Sequence, residues 1–168
     1  MSSLNHVNAG HWCPNCKNKT EKRVYDFLRT LLLPFQDIKI NIKRAYNVDW
    51  CKNPKTNKHL PFDINLKIII NNKTWNIIIE VDGSQHFVYV ERFKNNVQDN
   101  QDRDIYKMNC AYKNNHHMIR IVQEEIWNDK YDWRKELEKS IIEIIKDESS
   151  EVHQHFLSED ENKYNNHT

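Results

Sequence analysis

The chain has 168 residues, of which 38% are hydrophobic and 29% are charged, and its formal net charge is +1. This length allows one α/β domain with its own core and is too short for two comfortable domains. The near-neutral charge excludes a uniformly basic chain that binds nucleic acid through its total charge, so any contact with phosphates must depend on a local cluster of basic side chains.

The sequence has no apolar run long enough to span a membrane and no signal-peptide pattern in residues 1–10. Its 4 cysteines are spaced unevenly, which fits a reducing compartment better than a disulfide scaffold. We therefore expect a soluble intracellular protein, of the cytoplasm or the nucleus, with no membrane partner.

A C-x-x-C pair, Cys13 and Cys16, lies near the start of the chain. This spacing is the first half of many structural Zn²⁺ sites, in which two further ligands complete a tetrahedron. Cys51 is the preferred third ligand, and His11 or His6 is the fourth. The pattern is equally compatible with a metal-free loop and with Cys51 as a buried thiol.

The next two elements are predicted from hydrophobic spacing. Apolar residues at helical spacing predict a helix over residues 20–33, with Glu21 in its first turn, where the helix dipole favours an acid. Isoleucines at alternate positions in residues 38–42 predict a strand that ends at Lys43 and Arg44. These two basic residues are candidates for phosphate contacts.

Two isoleucine-rich runs, residues 62–70 and 74–81, flank Asn71 and Asn72. Asparagine tolerates the positive φ of a tight hairpin turn, so the runs are predicted to be antiparallel strands joined by these two residues. The register that follows gives one wholly apolar face, which a slip of one residue would destroy. That face pairs Phe62 with Val81, Ile64 with Ile79, Leu66 with Ile77 and Ile68 with Trp75.

The same register places Asp63 opposite Glu80, with Asp82 two residues further along the same face. Like charges directly opposite each other destabilise a sheet. Convergent carboxylates are the ligands that hard divalent cations prefer, which favours a metal site for these three acids. A solvated polar face at the end of a strand is the alternative. Gln85 and His86 follow at once and add two polar groups close to the same place.

The second half of the chain predicts a helix over residues 99–115, a short strand over 118–122 and an amphipathic helix over 131–146. Arg103 and Lys107 lie in the first turns of the earlier helix and are candidates for phosphate contacts. We expect its buried side to carry Ile105, Met108, Ala111 and Tyr112.

The predicted organisation has three parts. Residues 1–18 form a flexible start with the candidate zinc knuckle, residues 19–146 form one domain, and the polar residues 147–168 form a disordered tail. The element order of the domain is αβββαβ followed by a helix, which predicts an α/β fold with a mixed central sheet flanked by helices.

Five stretches match a known group of proteins in residue type and order: Thr20-Glu21-Lys22, Asp63, Glu80-Val81-Asp82-Gly83-Ser84-Gln85-His86, Asp102-Arg103-Asp104 and Met118-Ile119-Arg120-Ile121. On these stretches, residues 12–134 resemble the PD-(D/E)XK nuclease superfamily, and within it the branch of the very-short-patch mismatch-repair endonuclease.

The resemblance implies a restriction-endonuclease-like αβββαβ core and hydrolysis of DNA phosphodiester bonds with Mg²⁺ or Mn²⁺. It also implies Glu21 as a further acid near the metal. The superfamily has a lysine two residues after its second acid, and this chain has Asp82 there. The task of that lysine therefore falls to His86, to Gln85 or to a basic residue of the helix that follows.

The expected function is that of a metal-dependent DNA endonuclease. Asp63 and Glu80 would bind Mg²⁺ or Mn²⁺, and Asp82 would be a further ligand or orient a water. His86 would act as general base or proton donor, and Gln85 would position substrate or water. The alternative is a catalytically inactive nucleic-acid-binding module that uses the zinc knuckle. RNA as substrate, a homodimer, and a role in mismatch repair, intron homing, restriction or viral genome processing all stay open.

Overall fold

The structure, a computed structural model, describes residues 19–32, 38–91, 96–129, 132–149 and 151–167. Its helices are α1 (Lys19–Leu32), α2 (Val97–Lys113), α3 (Gln123–Asn128) and α4 (Trp133–Lys146). Its strands are β1 (Lys39–Tyr46), β2 (Phe62–Ile70), β3 (Lys73–Asp82), β4 (His117–Val122) and β5 (Gln154–Leu157). None of the helices in these ranges combines the length and the apolar character that a membrane span needs.

The five strands form one mixed sheet in the order β1-β2-β3-β4-β5. The first three strands pair antiparallel, whereas β4 pairs parallel with both β3 and β5. The predicted α/β class with a mixed sheet between helices is confirmed. Because β3 and β4 are parallel, their carboxyl ends meet at one edge of the sheet, directly before the Ser84–His86 turn and α3.

The predicted β2–β3 hairpin is confirmed in turn and register. Asn71 and Asn72 have φ angles of 49° and 64°, the left-handed conformation that a two-residue hairpin turn requires. The paired residues run from Ile64 opposite Ile79 to Ile70 opposite Lys73. Side-chain alternation and turn chemistry together therefore specify this part of the fold locally.

Two apolar clusters cover the two faces of the sheet. The larger one joins Ile64 and Ile79 to residues of α1, α3 and α4. The smaller one joins Ile78 to α2 and to the loop that contains Cys51. Phe62 was predicted to share the face of Ile64, but it packs in the smaller cluster, where its ring lies 5.6 Å from that of Trp50.

The predicted buried side of α2 is confirmed at Met108 and Ala111 but not at Tyr112. Tyr112, expected to be buried, is 56% exposed. The side of α2 that faces the sheet carries Gln101, Asp104, Lys107, Met108 and Ala111. Three of these five are polar because the sheet face beneath them is itself charged, and buried charges need charged or hydrogen-bonding partners.

Residues 147–168 were expected to be a disordered tail, and this expectation is wrong for residues 151–167. Their strand β5 pairs with β4, and the Met118 peptide N–H donates to the His153 carbonyl over 2.9 Å. The pairing provides hydrogen-bond partners for the backbone N–H and C=O groups on the outer side of β4. Leu157 and Tyr164 are buried and anchor the segment. The sequence did not predict this because the segment is mostly polar.

Candidate active site at the carboxyl end of β3

Glu80 lies near the end of β3 and is only 4% exposed. Lys107 of α2 donates to both carboxylate oxygens of Glu80 over 2.9 Å, and to the Pro61 carbonyl over 2.9 Å. Its Nζ also lies 4.9 Å from the centre of the Phe62 ring. Lys107 was predicted as a candidate for phosphate contact or for the task of the superfamily lysine. In the structure it is 8% exposed and forms an ion pair with Glu80.

Asp63 lies next to this pair. Its Oδ2 accepts a hydrogen bond of 2.8 Å from the Val81 peptide N–H, and no side chain of the described residues donates to it. Burial, and after it the negative charge of Glu80, raise the pKa of Asp63 well above its usual range. The predicted proximity of these two acids is therefore present in the structure.

A third acid approaches from α1. Glu21 forms an ion pair of 3.6 Å with Arg44, whose guanidinium also lies 5.9 Å from the centre of the Tyr25 ring. Burial raises the pKa of Glu21, the positive charge of Arg44 opposes that rise, and the negative charge of Glu80 adds to it. Glu21 is therefore coupled to the Glu80 site.

Asp82 has different partners from the other acids. Arg120 of β4 donates to its two carboxylate oxygens, through Nε over 2.8 Å and through Nη2 over 2.6 Å. The Tyr164 hydroxyl donates to the same carboxylate over 3.0 Å. Both Asp82 and Arg120 are 1% exposed, so this is a buried bidentate ion pair.

His86 and Asp104 complete the surroundings of Arg120. The Nδ1 of His86 lies 2.5 Å from Asp104 Oδ2, and Nη2 of Arg120 lies 3.1 Å from the same oxygen. Burial alone would raise the pKa of Asp104, but contacts with His167, His86 and Arg120 outweigh it and lower the pKa far below its usual range. Asp104 is therefore ionised and can orient the His86 ring.

Three predicted metal ligands, Asp63, Glu80 and Asp82, do not form one ligand set among the described residues. The set of three whose ligand atoms lie within 4.8 Å of one another is Asp82, His86 and Asp104. This set encloses the Arg120 guanidinium, whose fixed positive charge opposes a second cation there. Asp82 is accordingly an ion-pair partner of Arg120 in this structure.

The turn after β3 holds Gln85 close to this edge. A Cβ added to Gly83 would collide with the Gln85 side-chain amide, so the missing side chain of Gly83 leaves room for that amide. The Gln85 carbonyl accepts a 2.8 Å hydrogen bond from the Asn100 side chain of α2. Gln101 reaches the His86 carbonyl over 3.4 Å, so α2 fixes the turn at two points.

The remaining predicted residues lie elsewhere. Lys43 and Arg103 are exposed, on β1 and on the outer side of α2. Cys13 and Cys16 lie outside the described residues. Cys51 is fully buried, and burial together with the nearby Cys110 raises the pKa of its thiol to about 12.

Sequence reasoning missed the residues that hold the second half of the site: Arg120, Tyr164 and His167. Arg120 carried a usable signal, because a charged residue flanked by Ile119 and Ile121 in a buried strand needs a buried counter-charge. Tyr164 and His167 carried none, because they stand in a polar segment without periodicity.

Comparison of the chain with protein-family models, with curated proteins and with solved structures finds no match. The function is therefore argued from the geometry of the site.

Proposed function

We propose that the protein is a metal-dependent DNA endonuclease of the restriction-endonuclease-like type. The observation that carries this proposal is the Asp63 carboxyl. It lies partly buried beside Glu80 and Glu21, and among the described residues its one hydrogen bond comes from a peptide N–H. Lys107 and Arg44 form ion pairs with the two neighbouring acids, whereas Lys107 lowers the pKa of Asp63 by less than burial and Glu80 raise it. A divalent cation supplies the missing charge.

The donor chemistry fits Mg²⁺ or Mn²⁺, because these ions prefer carboxylate oxygens and retain several waters. Asp63 would be the principal ligand, and Glu80 would join it if Lys107 moved from one of its oxygens. When bound, such an ion neutralises the scissile phosphate and lowers the pKa of a coordinated water. Lys107, once displaced from Glu80, would carry its positive charge towards the phosphate, which is the task of the superfamily lysine.

His86 and Asp104 support the acid–base part of the reaction. The carboxylate of Asp104 fixes the ring of His86 through Nδ1 at 2.5 Å, which leaves Nε2 to take a proton from an attacking water or to give one to the leaving oxygen. A carboxylate that orients an imidazole in this way also stabilises the ring after it gains the proton. Gln85 lies one residue before it, in position to orient a water or the substrate.

Basic side chains beside the acids support a nucleic acid as substrate. Arg44 pairs with Glu21 beside the site, whereas Lys43 lies next to it on β1 and Arg103 lies on α2, both exposed. Phosphate contacts from local basic groups compensate for a net charge close to zero. A structural Zn²⁺ at Cys13 and Cys16, with Cys51 as a third ligand, remains part of the proposal.

The test is cleavage of supercoiled plasmid with Mg²⁺, with Mn²⁺ and with EDTA, by the wild type and by D63N and E80Q. We expect both variants to lose at least about 10²-fold in rate, in the range that the removal of a charge-stabilising group costs an enzyme. The matched control is D26N, at an exposed acid of α1. Cutting by D63N and E80Q at the wild-type rate would contradict the proposal.

One observation favours the inactive nucleic-acid-binding module: both oxygens of Glu80 already hold Lys107. Calorimetric titration of Mn²⁺ separates the two functions. Binding that is present in the wild type and absent in D63N supports the enzyme. Binding of DNA by a protein that takes up no Mn²⁺ supports the module.

A further inference from the structure

Segment 151–167 brings His167 to the proposed general base. The His167 ring is 1% exposed, and its Nε2 lies 3.4 Å from Asp104 Oδ2, the oxygen that also contacts His86 and Arg120. His167 therefore reaches the surroundings of His86 from a segment that is separated from it by most of the second half of the chain.

The His167 ring is costly to bury where it lies. Neither ring nitrogen has a hydrogen bond among the described residues, since the contact with Asp104 is longer and less well directed than a hydrogen bond. An unsatisfied buried polar group typically costs about 1–3 kcal/mol. Apart from Asp104, the ring packs against Phe87, 5.6 Å away, and Tyr164, 5.3 Å away, so a phenylalanine would keep these aromatic contacts.

We propose that His167 is a positioning residue for the His86–Asp104 pair, so that segment 151–167 is part of the active site. The inference rests on the proposed nuclease function. Asp104 Oδ2 has a fixed donor in Arg120 on one side and His86 on the other. His167 Nε2 approaches the same oxygen and limits its rotation, which keeps the carboxylate aligned with the His86 ring.

The charged and polar groups around this oxygen come from every element packed there. They are Asp82 of β3, His86 of the turn, Asp104 of α2, Arg120 of β4, and Tyr164 and His167 of the last described segment. If His167 is a positioning residue, kcat depends on the Nε2 atom of its ring and not on the volume of the ring. A purely structural role predicts the reverse.

The experiment compares H167F, H167Q and the wild type in kcat and KM for plasmid cleavage and in the free energy of unfolding. We expect H167F to keep or exceed wild-type stability, to lose about 10–100-fold in kcat, as removal of an orienting partner does, and to keep its KM. H167Q retains a donor and should recover most of kcat. The control is H155F, the same change on β5, where His155 faces Glu143 of α4.

The proposal is overturned if H167F has wild-type kcat, or if H167Q and H167F lose kcat equally while both are folded. Should H167F fail to fold, H167Q against H167M gives the same contrast between a donor and none. A second readout needs no cleavage: the NMR resonance of the His86 Nδ1 proton, which reports its hydrogen bond to Asp104, must shift in H167F and not in H155F. If the wild type cuts no nucleic acid, the proposed function fails, and this resonance alone decides the role of His167.

Discussion

Two pairs of acids lie close together at the end of β3, and their environments shift carboxyl pKa values in opposite directions. Asp82 and Asp104 enclose Arg120, and the pKa of Asp104 is far below its usual range. In the other pair, Glu80 accepts hydrogen bonds from Lys107 of α2, and the pKa of the neighbouring Asp63 is well above its usual range.

The difference lies in how permanent the positive charge is. Arg120 is 1% exposed on a central strand and binds Asp82 through a two-pronged hydrogen bond, so it cannot leave. Lys107 is also buried, at 8% exposed, but its single ammonium group sits on a flexible stem and is hydrogen-bonded to Glu80. Each pair has two acids and one fixed cation, but Arg120 contacts both of its acids, at 2.6 Å from Asp82 and 3.1 Å from Asp104, whereas Lys107 forms its ion pair with Glu80. Under the proposed function, a divalent cation would bind at the second pair.

The largest expected effect tests the complete pair. R120M leaves the Asp82 and Asp104 carboxylates buried without their cation, and breaking a buried pair in this way costs about 3–5 kcal/mol. We expect urea denaturation at pH 7 to show a loss of this size. R134M, at an exposed arginine paired with Asp129, should lose less than about 1 kcal/mol. A loss in R120M as small as that of R134M would remove the distinction between the two pairs.

A smaller effect tests the incomplete pair. K107M removes the hydrogen bonds to Glu80 and should lower the free energy of unfolding in EDTA by about 1–3 kcal/mol. Because the acids then have no competing cation, Mn²⁺ should bind more tightly to K107M and restore part of the lost stability. Thermal denaturation with and without Mn²⁺ measures this recovery. Its absence would separate Lys107 from the metal site.

The smallest effect has the opposite sign. D63N removes the uncompensated charge while its amide oxygen still accepts from Val81 N–H, so we expect it to be about 1 kcal/mol more stable than the wild type at pH 8. Because the pKa of Asp63 is raised in the folded state, the folded protein holds the Asp63 proton at pH values where the unfolded chain has lost it. The free energy of unfolding of the wild type therefore falls as the pH rises above the unfolded-state pKa of about 4.

The gain of D63N should therefore be absent near pH 4 and grow as the pH rises through the folded-state pKa of Asp63. Urea denaturation across this range measures it, with D26N as the exposed control. A stability difference that does not change with pH would mean that Asp63 carries no uncompensated charge.

The extent to which the sequence predicted this protein differs between its local and its long-range features. The hairpin was predictable because Asn71 and Asn72 suit positive φ and alternating isoleucines allow one register. The proximity of Asp63 and Glu80 followed from that register. The partners of Asp82 did not, because the Arg120 side chain reaches it across a parallel pairing that no local spacing encodes.

Sequence alone determined the element order from α1 to β4, the β2–β3 register and the concentration of acids at the end of β3, since each depends on neighbours a few residues apart. Only the tertiary structure decided which way α2 turns, which acids are neutralised, and that segment 151–167 returns to the site. The physical reason is that charge compensation depends on which side chains meet in the packed interior. Lys107 and Asp104 face inwards because the sheet beneath them carries Glu80 and Arg120. The spacing of apolar residues along one helix contains no information about the charges of another element.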